Sequence, residues 1–186
     1  KVLSTSKNKA VTEVYMKNMI DERDSRVRRT SLLQLGTLLN NHLEEKENTA
    51  VLQYFLTNLI ANETSYYSAA DAVTALSDIL AVDKIYDAVI PYIEMDSHVE
   101  IIRRSVLTAL AKTKEPRAKD VFLKYGETGS TARVRNIAIS GLDGYLNDPK
   151  VIEFLNGKLF ETPRSTQGVV LGLLEKARDP SSLPLL

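Results

Sequence analysis

The strongest constraint on this chain is a segment that it repeats. Residues 131–142, Thr-Ala-Arg-Val-Arg-Asn-Ile-Ala-Ile-Ser-Gly-Leu, put Val134, Ile137, Ala138, Gly141 and Leu142 at i, i+3, i+4, i+7 and i+8. That spacing is the apolar stripe of a helix with one buried face. Ala138 and Gly141 are small, so the helix can lie close against a neighbour. The same template recurs at residues 27–35 and 102–110, more weakly at 68–76 and most weakly at 165–173. Aligned on their last apolar position, the copies end at Leu35, Leu76, Leu110, Leu142 and Leu173, a spacing of 31 to 41 residues. A period of about 30–45 residues is the mark of stacked helical units, none of which can bury its apolar face alone.

A second helical pattern precedes each copy, at 11–20, 51–60, 85–93, 118–125 and 151–159. The repeating unit is therefore helix A, a short turn and helix B. The turns carry helix-start chemistry: Glu115-Pro116, Asp148-Pro149 and Asp179-Pro180 each place an acid before a proline, and Thr162-Pro163 precedes the fifth helix B. An acidic cap can accept from the first free amides, and proline at the first helical position gives up a donor that had no partner. Asp24, Asp96 and the 126–129 segment mark other A-to-B corners. Pro91 interrupts the third helix A, where it costs an internal hydrogen bond and predicts a kink. Leu183-Pro184-Leu185-Leu186 repeats Ile90-Pro91-Tyr92-Ile93, so residues 179–186 read as the opening of a sixth helix A. The expected fold is all-α, a right-handed α-solenoid of five helical pairs and a partial sixth within one domain. The units run roughly over 8–42, 48–81, 83–113, 116–146, 148–178 and 179–186. The missing initiator Met and the half-finished last unit suggest a piece of a longer protein.

Composition narrows function by exclusion. Lys+Arg and Asp+Glu both number 24. That balance argues against a nucleic-acid surface, which needs excess cations to displace counterions. With no cysteine there is no thiolate metal site and no disulfide, which fits a cytoplasmic protein without requiring one. No apolar run approaches the roughly 20 residues that span a bilayer. The two histidines, His42 and His98, lie 56 residues apart and read as solvated loop residues. No nucleophile–base pair, phosphate loop or metal motif stands out, so no catalytic residue, metal ligand or cofactor is assigned.

Two sets of residues are candidates for interaction. Arg28, Arg103 and Arg135 share one position early in helix B. A planar guanidinium with five donors suits a structural ladder that ties this helix to the adjacent corner, with Asp24 and Asp96 as its expected carboxylates. The outward positions of helix B form a second row: Arg26 and Arg29, Tyr67 and Ala70, Ile101 and Arg104, Arg133 and Asn136, Arg164 and Gln167. A basic row with an aromatic and an exposed Ile suits an acidic peptide or a neighbouring domain; a solvated face without a ligand is the alternative. Residues 48–82 hold no Lys or Arg but include Tyr54, Phe55, Tyr66 and Tyr67. This segment is read as the best-buried part of the array, with a contact surface as the alternative.

Helix B with its Asp, Val-Arg and Ala-Leu rhythm, and the proline in helix A, resemble HEAT repeats over nearly the whole chain. Asp87 with Ile90-Pro91-Tyr92-Ile93, the run from Tyr66-Tyr67 to Asp71-Ala72, and Lys124-Tyr125-Gly126 ahead of Arg133-Val134-Arg135 give a narrower likeness. They are similar to the C-terminal HEAT-type domain of zinc aminopeptidases of the aminopeptidase N family. The long first spacing and the fifth copy, which lacks the Val-Arg pair, depart from that pattern. The resemblance implies a non-catalytic domain that packs on the zinc-bearing domain and restricts which peptides enter. In that family the zinc sits on His-Glu-x-x-His, and this chain has no such motif. The alternative is a free-standing scaffold with protein or peptide partners and no nucleic-acid or membrane partner.

Overall fold

The computed structural model describes residues 9–40, 46–127, 130–161 and 163–185. Among them it is helical throughout, with ten α-helices and no strand. The helices are α1 (Lys9–Asp21), α2 (Ser25–Asn40), α3 (Lys46–Asn62), α4 (Tyr66–Ile79), α5 (Val82–Val89), α6 (Ile101–Leu110), α7 (Pro116–Gly126), α8 (Ala132–Gly141), α9 (Pro149–Glu161) and α10 (Arg164–Ala177). Helix A and helix B of each expected pair are present as separate helices. The chain divides into two compact units, Lys1–Ala109 and Leu110–Leu186.

In the first unit α1 packs on α2, α3 packs on α4, and the two second helices pack on each other. Helix α4 in turn meets α5. The residues responsible are those of the stripe: Leu32 and Leu35 of α2 and Val73 and Leu76 of α4 are at most 1% exposed. Met19, Leu56 and Ile60 close the core from α1 and α3. Each such side chain contributes about 1.5–3 kcal/mol by leaving water. Small residues let α4 approach its neighbours: Ser68, Ala69, Ala70, Ala72 and Ala75 are all buried.

In the second unit α7 packs on α8, α9 packs on α10, and α8 meets α10. Val134, Ala138 and Leu142 are fully buried and Ile137 half-buried, as the stripe requires; Ile139 joins them, widening the buried face. The small residue at 141 has a specific cause. A Cβ there would overlap the ring of fully buried Phe122 in α7.

Local chemistry sets the helix ends. Ser65 Oγ accepts from the Ser68 amide at 3.4 Å and Thr131 Oγ1 from the Val134 amide at 3.4 Å, so α4 and α8 begin on side-chain caps. Asp24, Asp148 and Asp179 each accept, through Oδ1, the amide two residues on. Glu115 does not cap α7, although Pro116 starts that helix; its carboxylate turns to Arg117 Nε at 2.8 Å. Pro163 stands one position ahead of α10 rather than inside its first turn, and Thr162 lies outside the described residues.

At Pro91 a kinked helix A is not what forms. Helix α5 ends at Val89, and Ile90–Tyr92 continue as a 3-10 turn, because proline has no N–H to donate to the preceding turn. The second copy of that pattern behaves alike: Pro180–Leu185 is a 3-10 helix lying against α9, not the first turn of an α-helix. Residue 186 lies outside the described residues.

Candidate functional site

The three corner arginines share one task and differ in their acidic partners. Arg28 Nη1 donates to the carbonyls of Glu22 and Arg23 at 2.9 and 3.0 Å, in the corner that follows α1. Its Nε and Nη2 grip both oxygens of Glu63 at 2.9 and 2.7 Å. Glu63 belongs to the α3–α4 corner, so one side chain joins two consecutive corners of the first unit. Both partners are nearly buried, at 13% and 4% side-chain exposure. The hydrogen bonds to Glu63 hold the Arg28 guanidinium above its ordinary value. Burial pushes the Glu63 carboxyl up, but Arg28 and the Ser65 amide outweigh it and hold it below the ordinary range.

Arg103 Nε donates to the Ile93 carbonyl at 3.0 Å, and its other nitrogens reach Glu100 and, at 3.4 Å, Glu94. Arg135 Nε donates to the Glu127 carbonyl at 3.3 Å and Nη2 to the Ser130 carbonyl at 2.8 Å. The expected carboxylates are replaced. Asp24 pairs with Arg26 at 3.2 Å instead of Arg28, and Arg26 holds the Asp24 carboxyl below its ordinary range. Asp96 is exposed in its turn, while Glu94 and Glu100 serve Arg103.

Sequence reasoning also missed a lysine. In the second unit Lys158 of α9 donates to Glu127 at 2.6 Å and Glu161 at 3.2 Å, at 9% side-chain exposure. Burial lowers its pKa, but the two carboxylates outweigh that and raise it. Glu161 stands three residues on, but the nearer contact is to Glu127, 31 residues away, which the sequence around Lys158 does not mark.

The outward row separates into engaged and free-standing members. In the first unit Arg29 pairs with Asp71 and lies 5.5 Å from the Tyr67 ring centroid, so Arg29, Tyr67 and Asp71 join α2 to α4 on their outer side. Burial outweighs Arg29 and raises the Asp71 carboxyl above its ordinary value. Arg26 is exposed; Ala70 is buried at 2%, so it does not belong to the row. Ile101 and Arg104 are half-buried, and Arg104 Nε has no hydrogen-bond partner among the described residues. In the second unit Arg133 and Arg164 are exposed and Gln167 is half-buried. Asn136 faces its neighbour rather than solvent: its Oδ1 accepts from Thr166 Oγ1 at 2.7 Å, fastening α8 to α10.

The cation-free segment divides in exposure. Leu56, Ile60, Val73, Leu76, Ile79 and Leu80 are buried, but Tyr54, Tyr66, Tyr67 and Val82 are 73%, 47%, 44% and 55% exposed. His98 is exposed, and His42 lies outside the described residues. Among the described residues no three His, Asp or Glu side chains group closely enough to hold a metal ion, and no helix is long and apolar enough to cross a membrane. No protein-family model matches this chain, and no curated protein matches it in sequence.

Proposed function

We propose that this chain is a non-catalytic HEAT-type domain that binds protein or peptide along the outer side of its second helices. In this reading the pairs continue as a right-handed solenoid, and the parent is an aminopeptidase N-like zinc enzyme. The domain then packs on the zinc-bearing domain and restricts access to the cleft. The observation that carries the binding role is the α2–α4 face. There Arg29, Tyr67 and Asp71 hold one another in place beside exposed Arg26 and Tyr66. Preordered aromatic and cationic side chains lose little entropy on binding, and such residues dominate interface energetics.

The reading frame upstream of Lys1 decides between parent enzyme and free-standing scaffold: a His-Glu-x-x-His motif selects the first, a start codon close by the second. The chain itself, incubated with zinc and aminoacyl chromogenic substrates, is expected to give no turnover. Mixed with the upstream zinc-bearing portion, it is expected to form a complex that Tyr67→Ala with Arg26→Glu weakens at least tenfold. Turnover by the chain overturns the non-catalytic reading, and complex formation indifferent to both substitutions overturns the face.

A further inference from the structure

The first unit carries a cavity of about 440 Å³ lined from the end of α1 and the corner after it, from Arg28 of α2, and from α3 and the corner that follows it. Met19 and Leu59 give it apolar lining, and Tyr54, 73% exposed, also lines it. Its polar lining leaves acceptors open. Asn58 Nδ2 donates to the Tyr54 carbonyl at 3.0 Å and Asn62 Nδ2 to the Asn58 carbonyl at 2.8 Å, which leaves both amide oxygens for another donor. Glu22 uses Oε1 to accept from the Asp24 amide at 3.1 Å and retains Oε2. The one cation in the lining, Arg28, has every nitrogen engaged by Glu63 and two carbonyls. With Glu63 neutralised by Arg28, Glu22 gives the cavity a net negative charge.

We propose that this cavity binds the arginine side chain of a peptide. An aliphatic stem lies on Met19 and Leu59, the guanidinium stacks on Tyr54, and its several N–H groups meet Glu22 and the two amide oxygens. The volume is ample for one side chain within the range of ligand pockets. Cation–aromatic stacking and a charge-assisted hydrogen bond are the contacts that separate a guanidinium from a neutral isostere. The proposal deepens the reading of the domain as a peptide binder, and it rests on that reading only for its biological occupant.

The test is a chemical-shift titration of the 186-residue chain with N-acetyl-arginine methylamide, its lysine counterpart and its neutral citrulline counterpart. Saturable shifts confined to residues 54–64 and the end of α1 are expected, with arginine about tenfold tighter than citrulline and lysine in between. Glu22→Gln and Tyr54→Ala, each checked for an unchanged melting temperature, are expected to weaken arginine about fivefold. Glu153→Gln in the second unit should leave it unchanged. Equal binding of citrulline, shifts that do not saturate, or indifference to Glu22→Gln and Tyr54→Ala overturns the site. Because these probes are single residues, a failed titration beside an intact complex with the zinc-bearing portion removes the cavity alone. A saturating titration without that complex removes the proposed parent and keeps the cavity.

Discussion

Arg28 in α2 reaches Glu63 with two parallel hydrogen bonds of 2.9 and 2.7 Å while its third nitrogen holds the corner after α1. One residue thus binds two carbonyls of its own corner and neutralises a buried acid of the next. Removing one partner of such a pair leaves an uncompensated charge, so Arg28→Ala is expected to cost about 3 kcal/mol. Arg28→Lys should recover little, because an ammonium cannot hold both carboxylate oxygens and the carbonyls at once. The double substitution Arg28→Met with Glu63→Leu should be distinctly less damaging than Arg28→Ala. Denaturant unfolding of the three variants checks this, and a double variant worse than Arg28→Ala would refute the pairing.

Glu63 and Asp71 should respond to acid in opposite senses. The Glu63 carboxyl is held low, so its stabilising contribution is present above about pH 4.3, the unfolded glutamate value, and fades as pH falls through its lower folded value. The Asp71 carboxyl is raised, so its contribution is present below about pH 3.9 and is lost as pH rises through the folded value. The deficit of Glu63→Gln should therefore shrink on acidification, while Asp71→Asn should gain on the parent as pH rises. Carboxyl-carbon titrations by NMR read both directly, and a common direction would contradict the geometry.

Glycine substitutions should separate by surroundings. Gly141→Ala drives a Cβ into the Phe122 ring and is expected to lose about 1–3 kcal/mol, the usual cost of overpacking. Gly168 and Gly172 in α10 have nothing within 4 Å of a built Cβ. Alanine at either should stabilise by about 0.5–1 kcal/mol through helix propensity. Thermal melts of the three variants give the order.

Tyr145 donates to the Glu115 carbonyl at 2.7 Å, and burial, with the Glu115 charge adding to it, pushes its hydroxyl up to about 12. The neutral phenol is favoured in the fold, so its contribution is complete below about pH 10 and lost as pH rises through the folded value. Tyr145→Phe is expected to cost about 1 kcal/mol. It should also remove the tyrosine transition near pH 12 from an ultraviolet titration.

Val99 sits at φ 47°, followed by Glu100 at φ 54°, a left-handed pair at the start of α6. A β-branched residue is poorly suited to that region. Val99 is 44% exposed, so little burial would be lost with its side chain. Val99→Gly is expected to raise stability by about 1 kcal/mol, measured by the denaturation midpoint.

The apolar stripe made the helices legible because burial is periodic and local: Val134, Ala138, Gly141 and Leu142 read as one face before any neighbour is known. The position of the arginines was legible for the same reason, since each acts on carbonyls ten residues away or fewer. Their acidic partners were not. Glu63 lies 35 residues from Arg28, and Asp24 offered a nearer carboxylate that its own Arg26 takes. The outer row was legible in register but not in exposure. Ala70 and Asn136 turn inward because neighbouring second helices pack side by side, and no single helix encodes that contact. The cavity beside Tyr54 was illegible, as its lining comes from three helices spread over more than forty residues of chain.

The clasp that Arg135 forms on the carbonyls of Glu127 and Ser130 lies within one hairpin. A hairpin closed from inside carries its own bend angle wherever it is placed. Lengthening or shortening such a chain by whole hairpins would then leave each bend intact and ask for new chemistry only at the seam, where a Glu63 or a Lys158 has to meet whatever arrives next.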